Sequence, residues 1–200
     1  MATHPARRGW SYAEFARLPD DGNRYEIIGG ELFVTPAPRP LHQRVATKLA
    51  TMLETFVEMH GLGWVVTGPI DVLFGEGDYL EPDLVFLGVE QEHLLSDRGI
   101  EGAPNLVVEV LSPTTALRDR GIKRDRYALF GVREYWVVDV DNRRVEVHHL
   151  ADDPHAAPRI AIETLEWRPA GLDGPMLALR LDEIMRGFAR PHDPASTDTP

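Results

Sequence analysis

Apolar residues recur along this chain with two periods, and the alternation between them predicts its elements. Val45, Leu49, Met52, Leu53, Phe56 and Val57 fall on one stripe at helical spacing, which predicts a helix from Leu41 to about His60, ended by Gly61 and Gly63. RYEII and ELFVT flank Gly29-Gly30, two residues free to take positive φ, and read as a β-hairpin. WVVTGPIDVLF reads as a strand, or two short ones, around Pro69; GEGDY reads as a turn, and LEPDLVFL as a further strand. LVVEVLS is a strand apolar on both faces, so it belongs in the centre of a covered sheet. EYWVVDV and RRVEVHHL pair across Asp141-Asn142, IAIETLEW makes another strand, and MLALRLDEIM ends in a strand to about Leu181 and a short helix. A short helix from Ser11 to Leu18 has capping-box spacing between Ser11 and Glu14. A second long helix runs from about Thr115 to Phe130, closed by Gly131, while residues 89–104 look irregular or briefly helical. Residues 1–9 and 189–200 are polar and are expected to be disordered around a single domain at 10–188. The order predicts an α/β fold: a mixed sheet flanked by the 41–60 and 115–130 helices, with an N-terminal hairpin and C-terminal strands.

Composition narrows the function. The 200 residues are 43% hydrophobic and contain no cysteine, so disulfides and thiolate metal sites are excluded and a cytoplasmic protein is expected. No apolar run approaches the roughly 18 residues that span a bilayer. The net charge of -11 argues against a protein that coats a long stretch of phosphate backbone. Any nucleic-acid contact must use a local basic patch, a metal or a small footprint. The same charge suits a carboxylate-rich site that holds cations.

Two carboxylates stand out. Four of the five residues Val107–Leu111 are aliphatic, and the fifth, in the middle, is Glu109. Asp83 follows Pro82 at the head of another apolar strand and shares a face with Val85 and Leu87. If the two strands are neighbours, the acids meet, and two anions that close require a proton or a cation between them. Mg²⁺ or Mn²⁺ fits, since hard ions take oxygen ligands and use one or two carboxylates. Asp119, Lys123 and Tyr127 follow at i, i+4 and i+8 on the next helix, which can fold Lys123 back over the strand. Two acids and a lysine suit phosphodiester cleavage.

The stretches YEIIGGELF, PAPRPLHQRV, EPDLVF, LVVEVLSPTT, DRGIKRDRYALFGVREYWVVDV and LALRLDEI together resemble the Uma-type endonuclease family of the PD-(D/E)XK superfamily, over roughly residues 10 to 188. The resemblance implies a restriction-endonuclease-like core, a metal-dependent endonuclease acting on DNA, and a homodimer. It implies that Asp83 and Glu109 bind Mg²⁺ or Mn²⁺, with the Val110 carbonyl as a further ligand. Lys123 would be the active-site lysine, Glu26 a recurring acid that completes the site, and His42 a recurring histidine. One departure is plain: the position two after Glu109, where the superfamily pattern has lysine, is Leu111. Lys123 would have to serve from the following helix.

Plainer readings stand beside these. Glu109 could be a structural carboxylate satisfied by arginine or amide groups, and Asp83 a strand-entry cap. Glu26 lies opposite Phe33 across the hairpin and could be an exposed strand residue. His42 lies on the Val45–Leu49 stripe and could be a packed core histidine. Asp119 suits orienting Lys123 better than binding metal. Arg118, Arg120, Arg124 and Arg126 form either a solvated helix face or a basic patch for phosphates. Ser112 and Thr114 are expected to cap the helix that follows. A catalytically inactive nucleic-acid-binding or protein-interaction module, or a phosphodiesterase for another substrate, remain the alternatives.

Overall fold

The computed structural model describes residues 9–75, 77–169 and 174–187. The segments expected to be disordered, 1–9 and 189–200, lie outside these but for Gly9. The chain opens with α1 (Tyr12–Phe15), whose Ser11–Glu14 capping box forms, then the hairpin β1 (Arg24–Ile28) and β2 (Glu31–Thr35). Gly29 and Gly30 turn it at φ of 60° and 82°. The long helix α2 (Pro40–His60) follows, with proline at its first position and Gly61 in the left-handed conformation at its end. Its buried stripe of Val45, Leu49, Leu53, Phe56 and Val57 is the one the sequence shows.

Next come β3 (Gly63–Thr67), β4 (Val72–Gly75), β5 (Asp78–Leu80) and β6 (Leu84–Gly88). The 63–75 stretch is thus two strands, joined through a cis Gly68–Pro69 bond. Two expectations are corrected here. The GEGDY turn gives way to strand at Asp78, and LEPDLVFL is divided, with Leu80 ending β5 and Leu84 beginning β6. The physical reason is that Pro82 lacks an amide hydrogen to continue a ladder. A 3₁₀ turn at Val89–Leu94 and a tiny hairpin, β7 (Leu95–Ser96) with β8 (Gly99–Ile100), fill the polar excursion.

The central strand β9 (Leu106–Val110) leads to a helical segment that departs from the expected 115–130 helix. It is α3 (Ala116–Arg118), a π turn at Asp119–Lys123, and α4 (Arg124–Phe130), closed by Gly131. The final elements are β10 (Glu134–Asp139), β11 (Arg144–His148), β12 (Arg159–Ala161), β13 (Thr164–Trp167), β14 (Leu177–Arg180) and α5 (Leu181–Ile184). IAIETLEW is therefore two strands, and they enter different sheets.

The strands form two six-stranded mixed sheets and a ribbon, where the sequence suggested one sheet. The first runs β12-β11-β10-β9-β6-β3, with β9 and β10 parallel. The second runs β2-β1-β5-β4-β8-β7, and β13-β14 stands apart as the ribbon. One face of the first sheet, including Phe86, Val108 and Trp136, packs on α2. Its other face, with Val85, Val107 and Val137, meets Ile28, Val72 and Leu80 of the second sheet and Tyr127 of α4. Both faces are covered, as the apolar β9 requires. Trp167 brings the ribbon onto this core, edge-on to Trp136 and Phe86. The indole N–H groups of Trp136 and Trp167 donate to the buried Glu134 carboxylate at 2.7 and 3.3 Å.

Gly63 sits at φ 141° opposite Gly88, and a methyl group there would overlap the Leu87 carbonyl oxygen. Gly63→Ala is expected to lower the unfolding free energy by about 1–3 kcal/mol, as strained backbone costs; urea denaturation reads this directly.

Candidate active site

Antiparallel pairing of β6 with β9 sets Leu84 against Val108 and Val85 against Val107. Continued one residue, that register brings Asp83 beside Glu109. The side chains alternate, so both acids share the face of Val85 and Val107, toward the second sheet. Asp83 Oδ2 accepts the Val110 amide hydrogen at 2.7 Å, which ties it directly to the Glu109 strand.

On β1, Arg24 and Glu26 share the face of Ile28, which is wholly buried between the sheets. Arg24 donates to Asp83 Oδ1 at 2.9 Å, and its Nε lies 3.4 Å from Glu81. His42, in the first turn of α2, places Nε2 3.1 Å from Asp83 Oδ2. Glu26 Oε1 accepts the Glu81 amide hydrogen at 3.1 Å and a proton of Lys123 Nζ at 2.7 Å. Lys123 Nζ also pairs closely with Glu109 Oε1, which accepts the Tyr127 hydroxyl at 2.9 Å. Asp119 Oδ1 lies 4.0 Å from Lys123 Nζ.

The π turn explains how Asp119 and Lys123 both reach inward. Such turns widen the helix locally and recur at functional sites. Here the turn buries Asp119 and Lys123 at its two ends, each 2% exposed, and α4 then carries Tyr127 to full burial. The Tyr135 hydroxyl donates to the Asp119 carbonyl at 3.0 Å and pins the turn to β10. Every residue nominated from the sequence, Glu26, His42, Asp83, Glu109, Asp119 and Lys123, lines one cavity of about 220 Å³, together with Val110.

Several expectations are corrected or settled by this arrangement. Glu26 is no exposed strand residue; it is buried and bonded to the lysine. His42 is held by Asp83 rather than by apolar packing alone. The arginines after Thr115 are not merely a solvated face. Arg118 enters the cavity wall, donating to Thr35 Oγ1 at 2.7 Å and lying 3.4 Å from Glu26. Arg120 bonds Asp139 at 2.6 Å and Glu146 at 2.8 Å, and Arg126 pairs with Asp78. Ser112 takes part in a hydroxyl cluster with Thr114 and Thr115 at 3.0 Å, yet no side chain caps the helix; Thr115 holds the cap position. Arg24 and Arg118 were missed as site residues. The two-residue spacing of Arg24 and Glu26 in RYE carried a signal for the first. The π turn that rotates Arg118 inward leaves no mark in the sequence.

The electrostatics follow from three buried carboxylates around one lysine, with Asp83 beside them on Arg24 and His42. Burial pushes Glu109 up, and Asp119, Asp83 and Glu26 add to that against the pull of Lys123, raising it to about 8. Burial also pushes on Asp83, but the hydrogen bond and charge of His42, with Arg24 and the Val110 amide, hold it at about 2. Burial opposes charge on Lys123, and Glu109, Glu26 and Asp119 overcome it, so the amine stays protonated above its ordinary range. Asp119 is raised by burial, and its Oδ1 has no hydrogen-bond partner. Among the described residues, no three acidic or histidine side chains form a ready metal cage. A divalent ion that keeps several waters needs only one or two carboxylates, however. The acid excess, the hard oxygen donors and the unpartnered Asp119 Oδ1 fit such an ion.

The fold defines the class first. A crystal structure described as "a putative nuclease belonging to DUF820", from Anabaena variabilis ATCC 29413, matches with TM-score 0.68. The match covers 86% of this chain and 96% of that one at 19% identity, and it shows a shared mixed α/β fold. The sequence model of the Uma2 family, described as "Putative restriction endonuclease", matches residues 12–179. The chain belongs to the Uma2 family. No curated protein matches it. No described helix is long and apolar enough to cross a membrane.

Two predictions come from the acid excess. Glu109→Gln removes a desolvated carboxylate and leaves Lys123 paired with Glu26. It is expected to raise the melting temperature at pH 8, with the gain shrinking as pH falls from about 8 and gone below 4.5, where Glu109 is protonated folded or unfolded. Lys123→Met should instead cost about 3–5 kcal/mol by stranding buried charge. Calorimetry from pH 4 to 8 compares both.

Asp83 titrates the other way. It holds its proton less tightly folded, near 2, than unfolded, near 3.8. Its contribution of roughly 2 kcal/mol is present above pH 4 and lost as pH falls to 2. Asp83→Asn should flatten the stability profile in that window, read by acid titration of the circular dichroism signal.

Proposed function

We propose that this chain is a metal-dependent endonuclease that hydrolyses DNA phosphodiester bonds at the Asp83–Glu109–Lys123 cluster. One observation carries the reading: Glu109, beside Asp83 in the strand register, pairs with the buried amine of Lys123. That set would offer oxygen ligands to a cation and a fixed positive charge in one cavity, in a chain of the Uma2 family. Asp83 and Glu109 would hold Mg²⁺ or Mn²⁺, with the Val110 carbonyl and Asp119 Oδ1 as neighbouring donors. When bound, such an ion offsets charge on the phosphate oxygens and makes a coordinated water acidic. Lys123 would supply its positive charge to the phosphate, or orient the attacking water. Glu26 keeps the amine within reach, Tyr127 fixes Glu109, and Arg24 with His42 fixes Asp83. Cutting both strands of a duplex needs two sites, which a homodimer provides.

The closed network of acids and protein cations favours a second reading, an inactive module on the same fold. Cleavage separates the two. With Mn²⁺, the purified protein should nick plasmid and cut single-stranded DNA, and Glu109→Ala, Asp83→Ala and Lys123→Ala should each lose about 100-fold or more. No cleavage by the wild type, or equal cleavage by the variants, defeats the assignment; activity on simple phosphodiesters alone points to another substrate.

A further inference from the structure

We propose that Arg39, with Arg118 and the first turn of α2, forms a phosphate-binding rim that seats the nucleic-acid backbone beside the acid–lysine cluster. The proposal rests on the nuclease reading and adds where the substrate enters. Four permanent cations line the cavity: Arg24, Arg39, Arg118 and Lys123. Arg24 is committed to Asp83 and Glu81, Lys123 to Glu26 and Glu109, and one end of Arg118 to Glu26 and Thr35. Arg39 is exposed, and its guanidinium has no hydrogen-bond or ion-pair partner among the described residues. Among the described cations lining the cavity, it is the one whose charge no partner engages.

Its setting suits an anion. Pro38 and Pro40 flank it and fix the backbone, so little freedom is lost on binding. Arg39 holds the cap position of a 21-residue helix, its side chain caps nothing, and the next residue, Pro40, has no amide hydrogen. The amides of Leu41 and His42 are thus the first helix-end donors beside it. A second observation adds to the helix end. The Nε–H of Arg118 and Nδ1 of His42 are buried in the same cavity wall without partners. A buried guanidinium N–H without an acceptor calls for one, and a phosphate oxygen supplies it with charge as well as geometry.

The larger neighbouring groove, about 930 Å³, shares Arg24, Glu81 and Asp83 with the cavity. It also presents Asp20, Glu54, Glu58 and Asp71, and among its described lining residues Arg24 is the only Lys or Arg. A phosphate backbone is repelled there. The path therefore crosses the rim of residues 35–42 and 112–118, with the acidic groove to one side.

The test is fluorescence anisotropy with a short labelled DNA duplex and its single strand, in Ca²⁺, over about 25 to 200 mM salt. Arg39→Ala should weaken binding about five- to tenfold at low salt and lower the slope of log affinity against log salt by about 1, which a merely structural role would not do. Arg39→Lys should retain most of that slope, and Glu58→Gln, in the acidic groove, should leave it unaltered. Wild-type binding with Arg39→Ala unchanged in affinity and slope overturns this inference alone. No wild-type binding of either DNA overturns the nuclease reading and the rim together.

Discussion

The buried amine of Lys123 joins three parts of this molecule. Glu26 comes from the second sheet, Glu109 from the first, and the lysine from the π turn between them. Each acid alone would be a desolvated charge in an apolar seam, at a cost of several kcal/mol. The amine makes both tolerable, and in doing so it fixes how the two sheets face each other around the cavity. Tyr127 and Tyr135 then secure the arrangement, one through Glu109 and the other through the Asp119 carbonyl.

The same arrangement is poorly optimised for stability. Three carboxylates crowd one lysine, and burial with repulsion from Asp119, Asp83 and Glu26 lifts Glu109 far from its ordinary range. A core selected only to fold would replace these groups with apolar ones of similar size, often without loss. Perturbed titration in a cleft is characteristic of functional sites, though ion-pair networks share it.

Much of this was readable from the residues. The strand character of LVVEV, its burial on both faces and the stripe on α2 all follow from period and composition, and the facing of Asp83 and Glu109 follows once β6 pairs with β9. What was not readable follows from tertiary events. Pro82 divides one apolar run into two strands, and the hairpin joins a second sheet because Ile28 finds its cover on β6, β9 and β10, contacts no local pattern encodes. The π turn inserts a register change into RDRGIKRDR. Helical spacing correctly grouped Asp119, Lys123 and Tyr127, yet it left Arg118 on the outside, because ideal spacing cannot anticipate a local widening. Leu111 shows the same limit in reverse: the strand position two after Glu109 holds no lysine, and the amine arrives from the next helix.

The charge of -11 and nucleic-acid chemistry need not conflict. Screening confines a surface charge to about 10 Å at 0.1 M salt, so what a phosphate meets locally decides binding more than the sum over the chain. Acids enclosed with Lys123, Arg24 and His42 present little field outward. Arg120 and Arg126 are neutralised by Asp139, Glu146 and Asp78, so they contribute no broad basic face either. A nuclease built this way would hold a backbone at few points, with a small salt dependence and modest affinity. Discrimination would then come from the fit of one phosphodiester into the cavity rather than from a long electrostatic footprint.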